Sequence, residues 1–304
     1  MTAYDRLRGS IVPLVTPFTE GNTVDFSTLK ALVDWQIASG SHGLSVTGTT
    51  GEPSALTLEE REQIFEAVIG QARGRVPVIP ATGTNNLEET LRLTRRAEEL
   101  GADGALVIVP YYNRPSQNGL AQYFSAVARS TSLPVIIYNI PGRTAVNIEP
   151  STVKKIRDAA PNVVGIKEAN KDFEQVSLML DQLGRDFLVY SGIETLCFPM
   201  LAVGGAGHIS ATANVLPTEV ADLYNLVQDN RWAEARDLHY RLLALNQALF
   251  WETNPGPLKT ALSMMGKIEP AIRLPLTLMG EDKTQALRRV LSSYHLLPNR
   301  EELS

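Results

Sequence analysis

Lys167 closes an apolar run, Val163-Val164-Gly165-Ile166-Lys167, and this placement carries the first chemical suggestion in the chain. A lysine at the end of a buried strand gives up hydration, which disfavours its ammonium form. A neutral amine attacks a ketone and forms a covalent imine. Read alone, the run also fits a strand-end lysine whose ammonium stands in water, so the other polar segments decide. Three of them follow apolar runs of strand length: Thr47-Gly48-Thr49-Thr50-Gly51-Glu52, Pro110-Tyr111-Tyr112-Asn113-Arg114-Pro115 and Tyr138-Asn139-Ile140-Pro141-Gly142-Arg143-Thr144. Together they supply hydroxyls, phenols and a guanidinium to whatever the amine does.

Strand alternation sorts these groups by face. Val163, Gly165 and Lys167 share one face, and Ile166 and Glu168 the other, so Glu168 is a poor base for Lys167. Pro134, Ile136 and Tyr138 share a face by the same count. Tyr138 on an adjacent strand can then meet Lys167 and pass protons to an imine. The loop Gly48-Thr49-Thr50-Gly51 joins flexible glycines, two hydroxyls and backbone N–H groups, a combination that suits a carboxylate. Arg143 follows a Pro-Gly turn, where a guanidinium can grip a carboxylate in bidentate fashion.

Other chemistries find no support. No Lys-Ser or Lys-Thr follows the glycine loop at P-loop spacing, and no Gly-x-Gly-x-x-Gly follows a strand. His42, His208, His239 and His295 are scattered without short spacing to cysteine or carboxylate, so no metal site is expected and no cofactor is called for. Cys197, the single cysteine, lies in an apolar run and is expected to be buried filler. With one cysteine no disulfide framework forms within the chain, which fits a reducing cytoplasm. The net charge of −5 offers no basic face to nucleic acid. The first ten residues do not read as a signal peptide, and no apolar run approaches the ~20 residues of a membrane span.

The elements that must position these groups alternate along the chain. Strands are expected over residues 10–15, 43–46, 76–81, 105–109, 134–139, 163–167, 187–191 and 207–211. Helices are expected over residues 25–39, from a Thr57–Glu60 capping box, and over 86–100, 117–130, 150–159, 173–183, 195–203 and 217–228. Eight strand–helix units within about 230 residues, with apolar strands throughout, predict a closed parallel (β/α)8 TIM barrel. Residues 231–304 form a C-terminal helical extension packed on the 1–230 barrel, with helices over 232–250, 257–265 and 283–297. Barrel enzymes carry their active sites at the carboxyl ends of the strands, which is where the polar segments fall.

The four motifs, in this order, resemble the dihydrodipicolinate synthase / N-acetylneuraminate lyase family of class I pyruvate-dependent aldolases. The resemblance runs from Gly9 to about Leu297. It implies that Lys167 forms the Schiff base with pyruvate, and that Tyr138, Thr49 and Tyr112 relay protons. Tyr112 would reach into a neighbouring subunit's site, within a homotetramer built from two dimers. Thr50, with the loop N–H groups at Gly51, would hold the pyruvate carboxylate, and the Ile209 carbonyl would line its pocket.

Arg143 resembles the arginine by which the synthase branch, acting in lysine biosynthesis, binds the carboxylate of aspartate semialdehyde. The lyase branch carries an apolar residue there. Ala145 stands where synthases usually have Gly, Pro53 replaces a small polar residue, and Ile193-Glu194 replaces an acidic pair. The alternatives are another pyruvate aldolase or a 2-keto-3-deoxy sugar-acid lyase or dehydratase on the same scaffold, and a barrel that binds keto acids without turnover. Asn85, Glu89 and Tyr111 match family contacts to an allosteric lysine. Leu58 and Arg61 stand where lysine-sensitive members often carry His. A cation at Arg61 repels a cationic effector, so weak or absent lysine inhibition is expected.

Overall fold

Short apolar runs that cannot bury both faces alone line up in parallel, and amphipathic helices cover them. The computed structural model describes residues 4–298. Residues 1–3 and 299–304, the outer ends of the expected barrel and extension, lie outside the described part. The strands are β1 (Gly9–Pro13), β2 (Gly43–Ser45), β3 (Ala105–Ile108), β4 (Val135–Asn139), β5 (Val163–Glu168), β6 (Leu188–Ser191) and β7 (Gly207–Ile209), in the order β2-β1-β7-β6-β5-β4-β3.

Eight strands were expected from the sequence, and seven are regular. The exception is residues 76–81, where Pro77 and Pro80 lack the N–H that a central strand donates to its ladder. The segment still fills the gap between β2 and β3. Ile79 N–H donates to Leu44 O at 2.8 Å, and Leu44 N–H donates to Pro77 O at 2.9 Å. On the other side Leu106 N–H donates to Pro80 O at 2.9 Å, and parallel bridges join Leu44 to Val78 and Ala81 to Leu106. These contacts close the barrel.

The helices are α1 (Phe26–Ala38), α2 (Leu58–Ala72), α3 (Leu87–Glu99), α4 (Gln117–Arg129), α5 (Pro141–Thr144), α6 (Pro150–Ala159), α7 (Phe173–Leu183), α8 (Cys197–Ala202), α9 (Pro217–Gln228), α10 (Trp232–Ala248), α11 (Gly256–Met264) and α12 (Glu281–Ser293). Their starts follow from side-chain caps. Asp25, Asn86, Ser116 and Asp172 each accept an orphan N–H of the first turn, and Thr57 with Glu60 forms the expected reciprocal box. The short α5 occupies the Pro-Gly segment that reads as a turn in the sequence. The helix expected over residues 195–203 is divided into a 3-10 turn, Glu194–Leu196, and α8.

Two apolar clusters result. Ile11, Ile79, Leu106, Ile136, Tyr138, Val164, Leu188, Tyr190 and Ile209 belong to the cluster that fills the barrel. The larger cluster lies between strands and helices, and α10 to α12 join it through Leu242, Leu245, Leu258, Leu262, Leu287 and Leu291. Lys259 of α11 forms a fully buried ion pair of 2.5 Å with Glu52 at the end of the β2 loop. Cys197 is buried as expected. No helix among the described residues is long and apolar enough to cross a membrane.

Candidate active site

The site begins with a register. In β4 and β5, Tyr138 pairs with Lys167 and Asn139 with Glu168. One part of the alternation expected for β5 is corrected here. The register shifts between Val135 and Ile136, which pair with Val163 and Gly165. This irregularity leaves Val163 in the outer cluster and puts Val164 in the inner one. Gly165 and Lys167 keep the inward phase opposite Ile136 and Tyr138. The bulge is invisible to a period-two count because nothing in the run departs from apolar.

Lys167 is 6% exposed and Tyr138 4%. The Lys167 Nζ stands 4.3 Å from the centre of the Tyr138 ring. The Thr49 hydroxyl is 3.5 Å from the Tyr138 hydroxyl, so amine, phenol and hydroxyl form a row across three segments. Gly192 leaves the room that the lysine occupies, since a Cβ there would stand 2.9 Å from Lys167 Cε.

Glu168 points away from this row, as the sequence implies. Its Oε1 accepts from Asn139 Nδ2 at 2.9 Å and from Asn170 N–H at 3.0 Å, and its Oε2 accepts from Gln175 Nε2 at 3.0 Å. Burial pushes this carboxyl up to about 7 against those three donors. Glu194 is a buried carboxylate on the Lys167 side; its Oε1 accepts from Ala211 N–H at 2.8 Å. Burial raises its pKa, and the charge of Lys167 opposes the rise.

The loop after β2 is bent by unusual backbone. Thr47 at φ 52° and Glu52 at φ 56° bracket a 3-10 turn, Thr49–Gly51. A β-branched residue at positive φ is strained, and Thr47 Oγ1 is held by donating to Ala81 O at 3.0 Å. The Gly51 N–H is spent on Gly48 O at 2.8 Å, which narrows the set of loop donors open to a carboxylate. Thr50 is buried, and its hydroxyl accepts from Asn254 Nδ2 at 3.1 Å. Ile209 ends β7 within the barrel cluster.

A cavity of about 340 Å³ opens above the row and is lined by Thr49, Tyr138, Arg143, Thr144 and Asn254 among others. Tyr138 lines the cavity and Lys167 does not, so the amine meets it through its contact with the Tyr138 ring. Arg143 is exposed at the mouth and donates to Asn254 O at 3.0 Å. Asn254 therefore touches both Thr50 and Arg143, a role that nothing in the sequence signals because it comes from the C-terminal extension. Arg273, also from the extension, lines the cavity and pairs with Glu60 at 2.7 Å.

Not every expected residue is gathered here. Tyr112 is 89% exposed with φ 71° and does not line the cavity. Tyr111 lines the far end of the cavity with Arg61. Asn113 of the same turn donates to Asn85 O at 3.3 Å, and Glu89 lies on α3 near Arg61. Ala145 explains the glycine usual at its position, for it has φ 58°, the left-handed cap of α5. Among the described residues no group of three His, Cys, Asp or Glu is placed to hold a metal.

An amine, a phenol and a hydroxyl gathered at the carboxyl ends of parallel strands define a (β/α)8-barrel enzyme. The chain belongs to the dihydrodipicolinate synthetase family, whose model matches residues 6–294. It is 51% identical to a 4-hydroxy-tetrahydrodipicolinate synthase of Thermus thermophilus, over 97% of this chain and 99% of that one. The crystal structure of dihydrodipicolinate synthase from Aquifex aeolicus superposes with a TM-score of 0.94 at 44% identity, covering 96% of this chain and all of that one. A dihydrodipicolinate synthase from Acinetobacter baumannii, solved complexed with pyruvate, gives a TM-score of 0.93 at 39% identity and covers 95% of this chain and 99% of that one.

Proposed function

We propose that this lyase condenses pyruvate with L-aspartate semialdehyde to give 4-hydroxy-tetrahydrodipicolinate, a step of lysine biosynthesis, through a Schiff base at Lys167. The observation that carries the reading is the cross-strand pair of Lys167 and Tyr138, with the amine 4.3 Å from the phenol ring and Thr49 next in line. Lys167 Nζ attacks the pyruvate carbonyl, and the carbinolamine loses water as Tyr138 returns the proton. Loss of a methyl proton gives an enamine, whose carbon attacks the aldehyde. The primary amino group of the former semialdehyde then adds to the imine carbon, closing the ring and expelling Lys167 as the free amine.

Thr50 with the Thr49–Gly51 turn holds the pyruvate carboxylate, and Ile209 lines the pocket. Arg143, exposed at the mouth, grips the carboxylate of the semialdehyde. Tyr112 fits a role in the site of a second copy of the chain, within a dimer of dimers, because its ring has no place in its own site. The reaction draws on the lysine itself and needs no metal or cofactor. Residues 1–230 act as the catalytic barrel, 231–304 as the segment that braces its mouth, and the cytoplasm suits a chain with one buried thiol.

Mixing pyruvate, aspartate semialdehyde and the downstream reductase tests the reading. Robust nucleotide oxidation is expected. Absence of turnover with a pyruvate adduct still formed at Lys167 would keep the imine and move the second substrate to sugar acids and other aldehydes.

A further inference from the structure

The Thr49–Gly51 turn is held from three sides. From the segment after β1, Thr16 Oγ1 donates to Gly51 O at 2.8 Å. From the extension, Asn254 Nδ2 donates to Thr50 Oγ1 at 3.1 Å, so that hydroxyl keeps its own hydrogen for a further acceptor. The third hold is Glu52, the residue that caps the turn at φ 56°. Glycine is the cheaper residue in that conformation, yet a glutamate stands there with its side chain buried against the extension. Arg273 N–H donates to its Oε2 at 3.3 Å. Its Oε1 has no partner but the Lys259 ammonium, 2.5 Å away. Lys259 is fixed in turn. Its Nζ donates to Ala271 O at 2.9 Å and stands 4.1 Å from the centre of the Phe18 ring, which Arg273 also approaches, at 4.4 Å. A dry ion pair is rarely the most stable filling for a core, since well-packed apolar residues often do as well. Its placement one residue beyond the turn suggests what it is kept for.

We propose, on the reading of Lys167 as the imine former, that Glu52 locked by Lys259 is a positioning residue for pyruvate. The pair anchors a three-residue turn to a buried helix, so that the Thr50 hydroxyl and the turn backbone meet the pyruvate carboxylate without first having to be ordered. The grip on the second substrate does not depend on it. Arg143 sits on α5, whose bonds are local: Arg143 N–H donates to Ile140 O at 2.9 Å and Thr144 Oγ1 to the same oxygen at 3.1 Å.

Borohydride trapping of the Lys167 adduct across a pyruvate series, with steady-state kinetics for both substrates, tests the role on the full chain. Glu52→Gln should raise the pyruvate half-saturation and KM by about tenfold or more, with KM for aspartate semialdehyde within about twofold. Should that variant fail to fold, Glu52→Gln with Lys259→Met carries the test. It leaves neither charge buried and should regain the stability that either single exchange loses, while the split between the two substrates persists. Pyruvate half-saturation at the wild-type value in the folded variant, or an equal rise for both substrates, would overturn the proposal. Absence of any pyruvate adduct on the wild-type chain would strike the imine reading itself, and the positioning role with it.

Discussion

The pair of Tyr138 and Lys167 owes its geometry to the residues just after it. Asn139 and Glu168 are the next cross-strand pair, and their side chains bond at 2.9 Å on the opposite face. This clamp holds β4 to β5 where the amine and phenol must meet. Removing the phenolic proton in Tyr138→Phe should lower kcat by about 10²-fold, within the range of general acid–base catalysis, with the fold unchanged by circular dichroism. The clamp also titrates. Glu168 has an ordinary value of 4.5 and is pushed up to about 7 by burial. Across that window the folded chain keeps a proton that the unfolded chain has released. Its contribution to stability is therefore full below 4.5 and is lost as pH rises through about 7. Glu168→Gln should flatten this part of the stability–pH curve in urea titrations; an unchanged slope would assign the dependence elsewhere. Both residues are plain in the sequence, as is their division between faces. The proton balance of Glu168 is not, because it depends on Gln175 and Asn170 arriving from beyond the strand.

At the scale of elements, β5 shows what periodicity can and cannot reveal. Its end and its inward lysine follow from the apolar run, but the bulge at Val164 does not, because a uniformly apolar strand reads the same in either phase. Gly165 marks the tight side of the strand: a Cβ there would stand 2.4 Å from Leu188 O. Gly165→Ala should therefore destabilise the protein by about 1–3 kcal/mol through overpacking, read as a lowered urea midpoint. The 76–81 segment presents the opposite case. Its apolar content and position give a barrel stave, while Pro77 and Pro80 remove it from the regular ladder. The loop at Thr47 was legible as a site for its composition, but not for its positive φ or its spent Gly51 N–H, which arise from closure against Ala81 and Gly48.

For the whole molecule, the barrel and its extension share one apolar cluster and one buried ion pair. The sequence separates them at about residue 230 by the count of units, yet Asn254, Lys259 and Arg273 return from the extension to the β2 loop and cavity. Such long-range returns leave no local pattern. Lys259→Met would strand Glu52 as a buried uncompensated carboxylate, and a loss of about 3–5 kcal/mol is expected, with the mouth of the cavity loosened alongside. Differential scanning calorimetry should show one lowered transition for the whole chain; a separate early transition for the extension would contradict the shared core. The central claim concerns the amine at the carboxyl end of β5, and one measurement reaches it directly: peptide mass spectrometry of the intact chain after pyruvate and borohydride. The account predicts a single reduced pyruvate adduct on Lys167, absent in Lys167→Ala. No adduct, or an adduct on another lysine such as Lys171 with Lys167 unmodified, would contradict it.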